Sequence, residues 1–387
     1  MVENKDKKVL NVPNLRFPEF EGEWEEHYLS DYLDFKNGLN PKPERFGKGI
    51  RFISVMDILN NAVITNDCIR VSVDVSEEEL LSFCVENGDI LFQRSSETLE
   101  DVGRANVYMD NKPAVFGGFV IRGKKKAEYD PLFFRYLLAS PFARKKIIPM
   151  GAGAQHFNIG QEGLNKVKLH FALLDEQKEI ARLLSLLDER IAIQNKIIED
   201  LKKLRSAISE RLFKDAKGDV ITLSEICDIV KGEQINGELL SEHGKYYVMN
   251  GGTDPSGYYD NYNVGAYTIS ISEGGNSCGY VQFNKCPFWC GGHCYSIQNI
   301  ADNINNLYLY HYLKTEEKAI MKLRIGSGLP NIQKKDLATF KIKLPTSKQQ
   351  KAISDILSLL EQKAEIEEQI LIAMQDEKQY LLRQMFI

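Results

Sequence analysis

From Asp175 onward apolar residues recur at alternating spacings of three and four. One register holds Ile180, Leu187, Gln194, Leu201 and Ile208, and the other holds Leu184, Ile191, Ile198, Arg205 and Leu212. Eight of these ten are apolar, a heptad seam that predicts a long coiled-coil helix and not a strand. A second stretch repeats the pattern with Ile353, Leu360, Glu367, Met374 and Leu381 beside Leu357, Ala364, Leu371, Lys378 and Met385. Its polar exceptions fall at the equivalent places. Pro345 ahead of Ser347 to Gln350 predicts a capping box for the second helix, and Asp175 is expected to cap the first. A helix of about 38 residues is ~57 Å long. Between these stretches, short apolar runs such as GDILF (Gly88 to Phe92) and YTISI (Tyr267 to Ile271) read as strands that end in polar loops.

The two helical stretches belong to a longer internal repeat. Residues 158–213 align without a gap on residues 331–386, a spacing of 173, and share the LSLL at Leu184 to Leu187 and Leu357 to Leu360. Upstream, YLSDYLDFKNG (Tyr28 to Gly38) faces TLSEICDIVKG (Thr222 to Gly232), and PAVFGG (Pro113 to Gly118) faces PFWCGG (Pro287 to Gly292). FFRYL (Phe133 to Leu137) faces LYHYL (Leu309 to Leu313), and GAG (Gly151 to Gly153) faces GSG (Gly326 to Gly328). Anchors that keep their order mean a duplicated unit, a mixed domain followed by a helix. Between LSD or LSE and LSLL the first copy is 21 residues longer, so the variable material lies inside the domains.

The expected fold is α+β: two tandem mixed α/β domains separated by two long helices that form an antiparallel coiled coil with pseudo-twofold symmetry. The boundaries are 1–174 for the first domain with an N-terminal arm over 1–22, 175–216 for the first helix, 217–346 for the second domain and 347–387 for the second helix. An antiparallel register that joins the polar interruptions sets Gln194 against Lys378 and Arg205 against Glu367, with Ile198 beside Met374 and Leu201 beside Leu371. In the alternative these four polar residues point to solvent, because a straight helix drifts ~20° per heptad.

At 387 residues the chain suits two domains plus connecting elements. The mean hydropathy of −0.31 is that of a globular chain, and no run approaches the ~20 apolar residues that span a bilayer. The charged start MVENKDKKVLN argues against export, so a cytoplasmic location is expected, with the seven cysteines as reduced thiols. The net charge of −5 does not by itself suggest nucleic acid. Positive charge is clustered, however, at Arg122 with Lys124, Lys125 and Lys126, at Arg144, Lys145 and Lys146, at Lys322 and Arg324, and at Lys334 and Lys335. Each run reads either as solvated surface or as a phosphate contact.

Enzyme signatures are missing from the chain. GFVIRGKK (Gly118 to Lys125) lacks the hydroxyl that follows the lysine of a phosphate-binding loop. TDPSGYY (Thr253 to Tyr259) has one proline where an amino-methyltransferase loop has two, and it reads as a turn. Cys278, Cys286, Cys290, His293 and Cys294 lie close together, but no CxxC pair occurs. Cys290 and Cys294 face Phe116 and Val120 of the first repeat, and His293 faces Phe119, which favours buried thiols, a packed imidazole and no metal.

The arm PNLRFPEFEGEWEE (Pro13 to Glu26), the two variable domains, the GxG…NI element that ends each, and the repeated helices beginning at Glu176-Gln177 and Gln349-Gln350 resemble the specificity subunit of Type I restriction–modification enzymes. The resemblance covers nearly the whole chain. The first helix entry lacks the usual proline, and the second has QQ in place of EQ. The resemblance implies that each domain is a target recognition domain reading one half of a split site in double-stranded DNA. It implies that the helices act as a ruler and carry two adenine-N6 methyltransferase subunits, which two restriction subunits join. It also implies no catalysis and no cofactor in this chain, S-adenosylmethionine, ATP and magnesium being used by the partners, and no membrane.

Base readout needs paired donors and acceptors, or Arg forks, held on a framework that phosphate contacts position. The loop after GDILF offers Gln93, Arg94, Ser95, Arg104 and Asn106; Gln155 and His156 follow near the domain's end. The second domain offers Asn250, Tyr258, Ser272, Glu273 and Asn276. Lys124, Lys125, Arg144, Lys145, Lys322, Arg324 and Lys334 are the phosphate candidates. For any of the loop residues the alternative is plain turn chemistry. For the whole chain the alternatives are a coiled-coil protein scaffold without sequence-specific DNA binding, and a metal enzyme centred on the cysteines.

Overall fold

The computed structural model describes residues 11–387 apart from Ser327 and Leu329. The expectation drawn from the charged N-terminus falls on residues 1–10, outside the described residues. The chain divides into two compact units, residues 1–195 with 370–387, and residues 196–369.

In the first unit the strands β1 (Leu33–Asn37), β2 (Ile90–Gln93), β3 (Ala105–Val107) and β4 (Val120–Lys125) form an antiparallel sheet in the order β1-β4-β2-β3. Strand β2 is apolar from Ile90 to Phe92 because both its faces are covered. Ile90 and Phe92 pack with Phe133 and Leu137 of helix α1 (Pro131–Ala139), while Leu91 packs with Ile53 and Phe116. Asp130 caps α1 by accepting the Phe133 N–H, with Pro131 in the first turn. A smaller sheet sets Phe46–Ile53 between Ser72–Val73 and Ala114–Phe116.

The second unit repeats this plan. Strands β5 (Asp228–Lys231), β6 (Thr268–Ser272), β7 (Val281–Asn284) and β8 (Cys294–Gln298) follow the order β5-β8-β6-β7. Tyr246–Met249 lies between Tyr258–Tyr259 and Trp289–Cys290, and Asn305 caps helix α4 (Asn306–Thr315). The extra length of the first copy includes two helices, Val55–Asn60 and Glu77–Phe83. Among the described residues, no helix occupies the matching stretch of the second. In each domain a terminal strand pair, Glu25–Tyr28 with Lys168–Phe171 and Asp219–Thr222 with Lys341–Leu344, leads the chain into a long helix.

The long helices are α3 (Leu174–Asp215, 42 residues) and α5 (Ser347–Gln384, 38 residues), about 63 and 57 Å of helix. Their segments run antiparallel in both units. In the second, Lys202 pairs with Glu368 at 2.7 Å and Arg205 with Glu361 at 3.6 Å. In the first, Lys378 meets Asp188 at 2.5 Å, while the far end of α5 approaches the start of α3 through the N-terminal arm. There the Leu15 N–H donates to the Gln384 carbonyl, and the Arg16 guanidinium grips the buried Glu176 carboxylate with two 2.8 Å bonds. Trp24 completes this corner, edge-on to Phe133 and Phe386.

The ion pairs add partners to the expected polar layers. Lys378 takes Asp188, six residues before Gln194, and Arg205 takes Glu361, six residues before Glu367. Each of these carboxylates has a third partner that a two-helix seam does not include. Asp188 also accepts from the Tyr136 hydroxyl and from Arg135, and Glu361 accepts from the Tyr310 hydroxyl. The polar layers therefore sit where the domain helix reaches the helix pair. Gln194 is nevertheless buried rather than turned to solvent, and Glu367 accepts from Lys363 on its own helix.

The helix starts differ from expectation. The box of α5 is Thr346 with Gln349, one residue earlier than Ser347 with Gln350. Asp175 lies inside α3 and pairs with Lys178, while Leu173 precedes the helix and accepts from the Gln177 N–H. The glutamines have another task. Gln177 accepts from the N–H of Asp130, the cap of α1, and donates to the Ala172 carbonyl. Gln350 accepts from the N–H of Asn305, the cap of α4, and donates to the Pro345 carbonyl. Each is a buried socket that fixes a long helix to its domain.

Candidate nucleic-acid interface

At the end of the central strand of each sheet, three chain segments are clasped by the same backbone hydrogen bonds. In the first domain the Arg94 N–H donates to the Phe119 carbonyl and the Arg94 carbonyl accepts from the Ile159 N–H, both at 2.9 Å. In the second, the Glu273 N–H donates to the His293 carbonyl at 2.9 Å and its carbonyl accepts from Ile332 at 2.8 Å. Ile159 and Ile332 are buried pegs. In the first domain the GxG element folds back beside the clasp, where Ala152 and Asn158 exchange two hydrogen bonds; in the second, Ile325 and Asn331 exchange two.

The clasp gathers some of the residues singled out from sequence. In the first domain Arg94 is half-buried with its Nη1 on the Gly118 carbonyl, Ser95 bonds to Asn158, and Gln155 and His156 are exposed on the adjoining hairpin. In the second, Asn276 and Arg324 are exposed on segments stitched together by the Gly275 to Pro330 and Ile325 to Asn331 bonds. Asn250 accepts from the His293 N–H, and Tyr258 is half-buried in its strand. Lys145, Lys322 and Lys334 are exposed, and Arg104 is exposed but paired with Asp101.

Other candidates belong to the framework. Asn106 is fully buried in β3, where its amide donates to the carbonyls of Ile58 and Asn61 and so satisfies the end of the neighbouring helix. Gln93 is the last residue of β2, buried and bonded to the Ser95 carbonyl. Ser272 closes β6 with its hydroxyl on the Gly251 carbonyl, and Glu273 is buried against Lys231 and the Tyr295 hydroxyl. For Gln93, Asn106 and Ser272 the strand runs further than its apolar letters, so a residue read as loop lies inside; Glu273 follows β6 directly and is buried there. Lys124 pairs with Glu86, and Lys125 reaches the Tyr129 carbonyl, both at the end of β4 away from the clasp. Arg144 bonds the carbonyls of Glu100 and Val102, and burial, then Arg104, push its pKa down to about 10.

Sequence reasoning missed two exposed rings. Phe119 is 67% exposed, and His293, at the matching position, is exposed as well, so the inference that His293 packs inward is corrected. Both follow a double glycine, the signal that marks a tight turn. Cys278, Cys290 and Cys294 are buried; the contact with Cys294 and burial push the Cys290 thiol up. Among the described residues, no group of three or more His, Cys, Asp or Glu side chains is arranged to hold a metal. Nor is any helix among them long and apolar enough to cross a membrane.

A duplicated sheet-and-clasp domain, each copy socketed to a long helix, defines a class of paired recognition modules. The chain belongs to the family of the Type I restriction modification DNA specificity domain, whose sequence profile matches residues 21–203 and 217–375. It is 26% identical over 400 residues to the putative type I restriction enzyme MjaX specificity subunit of Methanocaldococcus jannaschii, covering 93% of this chain and 92% of that one. It is 34% identical over 147 residues to a putative type I specificity subunit of Mycoplasma genitalium, 37% of this chain and 38% of the relative. The fold is similar to the crystal structure of a type I restriction–modification S subunit from M. genitalium, with a TM-score of 0.65 at 21% identity over 97% of this chain and 99% of that one. A structure from work on assembly of the type I system matches with a TM-score of 0.58 at 15% identity, over 93% and 96%.

Proposed function

We propose that this chain is the DNA-reading subunit of a Type I restriction–modification complex, with one domain for each half of a bipartite target and no catalytic site of its own. The carrying observation is the clasp: the same backbone frame occurs twice, with exposed Phe119 on one copy and exposed His293 on the other. A frame held by main-chain bonds leaves its side chains free to differ, as two readers of different half-sites must.

The long helices are the proposed seat of the partners. Besides the seam they share, α3 leaves Leu183, Leu186 and Ile193 exposed in the first unit, and α5 leaves Ile356, Leu359 and Ile366 exposed in the second. These positions correspond at the repeat spacing of 173 residues, which suits two copies of one methyltransferase subunit; exposed apolar rows of this kind mark interaction surfaces. Restriction subunits complete the assembly, and S-adenosylmethionine, ATP and magnesium serve the partners. The work of the complex lies with cytoplasmic DNA.

Sequencing genomic DNA for methyladenine motifs with and without this chain tests the reading. The expected result is a two-part motif that disappears with the chain. Inserting one heptad in each long helix is expected to lengthen the unspecified gap and leave both half-sites unchanged. Loss of the chain with no change in any motif, together with no salt-sensitive duplex binding, would leave a protein scaffold as the better account.

A further inference from the structure

A further backbone segment lies against each clasp. The segment after β1 runs beside the double-glycine turn: the Gly38 N–H donates to the Val120 carbonyl at 3.1 Å and the Leu39 N–H to the Phe116 carbonyl at 2.9 Å. After β5 the same pair of bonds joins Gly232 to Cys294 and Glu233 to Cys290, both at 2.9 Å. A Cβ on Gly38 would strike the Gly117 carbonyl, and one on Gly232 the Gly291 carbonyl, so only glycine allows this approach. The next side chains, Asn40 and Gln234, lie directly on Gly118 and Gly292, where again a Cβ would collide with their amides.

Both amides are exposed. In the first domain Asn40 borders an open groove of about 530 Å³ with Phe119, Phe46, Met56 and Ser95 on its walls. Gln234 has a single long bond, 3.4 Å, to the carbonyl of its neighbour Ile235. The backbone on either side is fixed, yet the carboxamide ends are not committed to the fold. In the first domain a carboxamide and an exposed ring share one groove, and in the second Gln234 lies on the glycine that precedes the exposed His293. Such a placement suits the edge of a base pair: the amide pairs in two-pronged fashion with N6 and N7 of adenine, and the ring packs against the thymine methyl.

We propose that Asn40 with Phe119, and Gln234 with His293, are specificity-determining pairs that each read an adenine–thymine base pair in the major groove, one pair per half-site. This rests on the DNA-reading function proposed above and names the residues and bases at its centre. The amides differ in length and the rings in polarity, so the two pairs read their base pairs at different depths and with different tolerance of neighbours.

The test uses the full chain with its natural partners, in cells whose methyladenine motifs are sequenced. Asn40→Ala is expected to relax one adenine position in one half-site, with discrimination falling about 5- to 150-fold, and to leave the other half-site intact. Gln234→Ala is expected to do the same in the opposite half-site. Asn40→Asp keeps the size of the side chain but offers only acceptors, so preference at that position should move from adenine toward cytosine. An unchanged motif in all three variants overturns the proposal, as does uniform weakening at every sequence, which marks a backbone contact. A lowered melting temperature with an unaltered motif assigns the amides to the fold and overturns it too. If the unaltered chain itself directs no motif, it is the DNA-reading function that fails.

Discussion

The sockets where the long helices enter their domains are alike in all but one of their side chains, whereas the clasps at the strand ends are alike only in their backbone. Gln177 and Gln350 make matching pairs of bonds, and Asp188 and Glu361 each join a cation of the opposite helix to a tyrosine of the domain helix. At the clasps, carbonyl and N–H groups repeat while arginine stands opposite glutamate and phenylalanine opposite histidine. A joint built from side chains constrains those side chains. A joint built from main chain leaves Phe119 and His293 at the surface, free to differ.

The largest expected effect comes from the one place where the sockets are unequal. Arg16→Ala leaves the Glu176 carboxylate buried without its cation and should cost ~3–5 kcal/mol in urea unfolding. Gln349, at the position of Glu176 in the second helix, is exposed and only caps, so Gln349→Ala should cost ~1 kcal/mol or less. Equal losses would break the comparison.

Acid should next separate the domain helices. Burial, then Arg205, lowers the His311 pKa to about 4, while the first domain has Arg135 at the matching position. The unfolded chain protonates this histidine below about pH 6.5 and the folded chain only near 4, so stability is full above 6.5 and is lost as pH falls from 6.5 toward 4. The loss should reach on the order of 3 kcal/mol, be visible by amide exchange in residues 196–369, and flatten in His311→Asn.

Asn106→Ala should cost ~1–3 kcal/mol by orphaning the carbonyls of Ile58 and Asn61, yet leave base preference untouched; a changed motif would return Asn106 to the readers. The smallest change in stability, within ~0.5 kcal/mol, is expected for Gln155→Ala, which alters only DNA affinity in a gel-shift titration.

The two long helices, their antiparallel sense and the duplicated body were legible in the sequence because a heptad seam and a fixed repeat spacing are carried by residues that act together in order. The polar layers were only half legible. Arg205 and Lys378 do hold matching roles, but their partners Asp188 and Glu361 are set by Tyr136 and Tyr310, which no two-helix pattern contains. Among the candidate readers, Asn106, Ser272 and Glu273 have the chemistry of recognition, yet each is consumed by partners 21 to 48 residues away in sequence. Phe119, Asn40 and Gln234 escaped notice for the opposite reason: nothing in their own letters marks them, and only the glycines they rest on give their placement away.

The glutamine sockets carry a consequence for how such chains diversify. A gene segment that runs from the end of one long helix to the socket that begins the next encodes a whole domain together with the helix cap that seats on that socket. Exchanging that segment between relatives would transplant a new half-site preference in a single recombination event, without any compensating change in the helices that receive it.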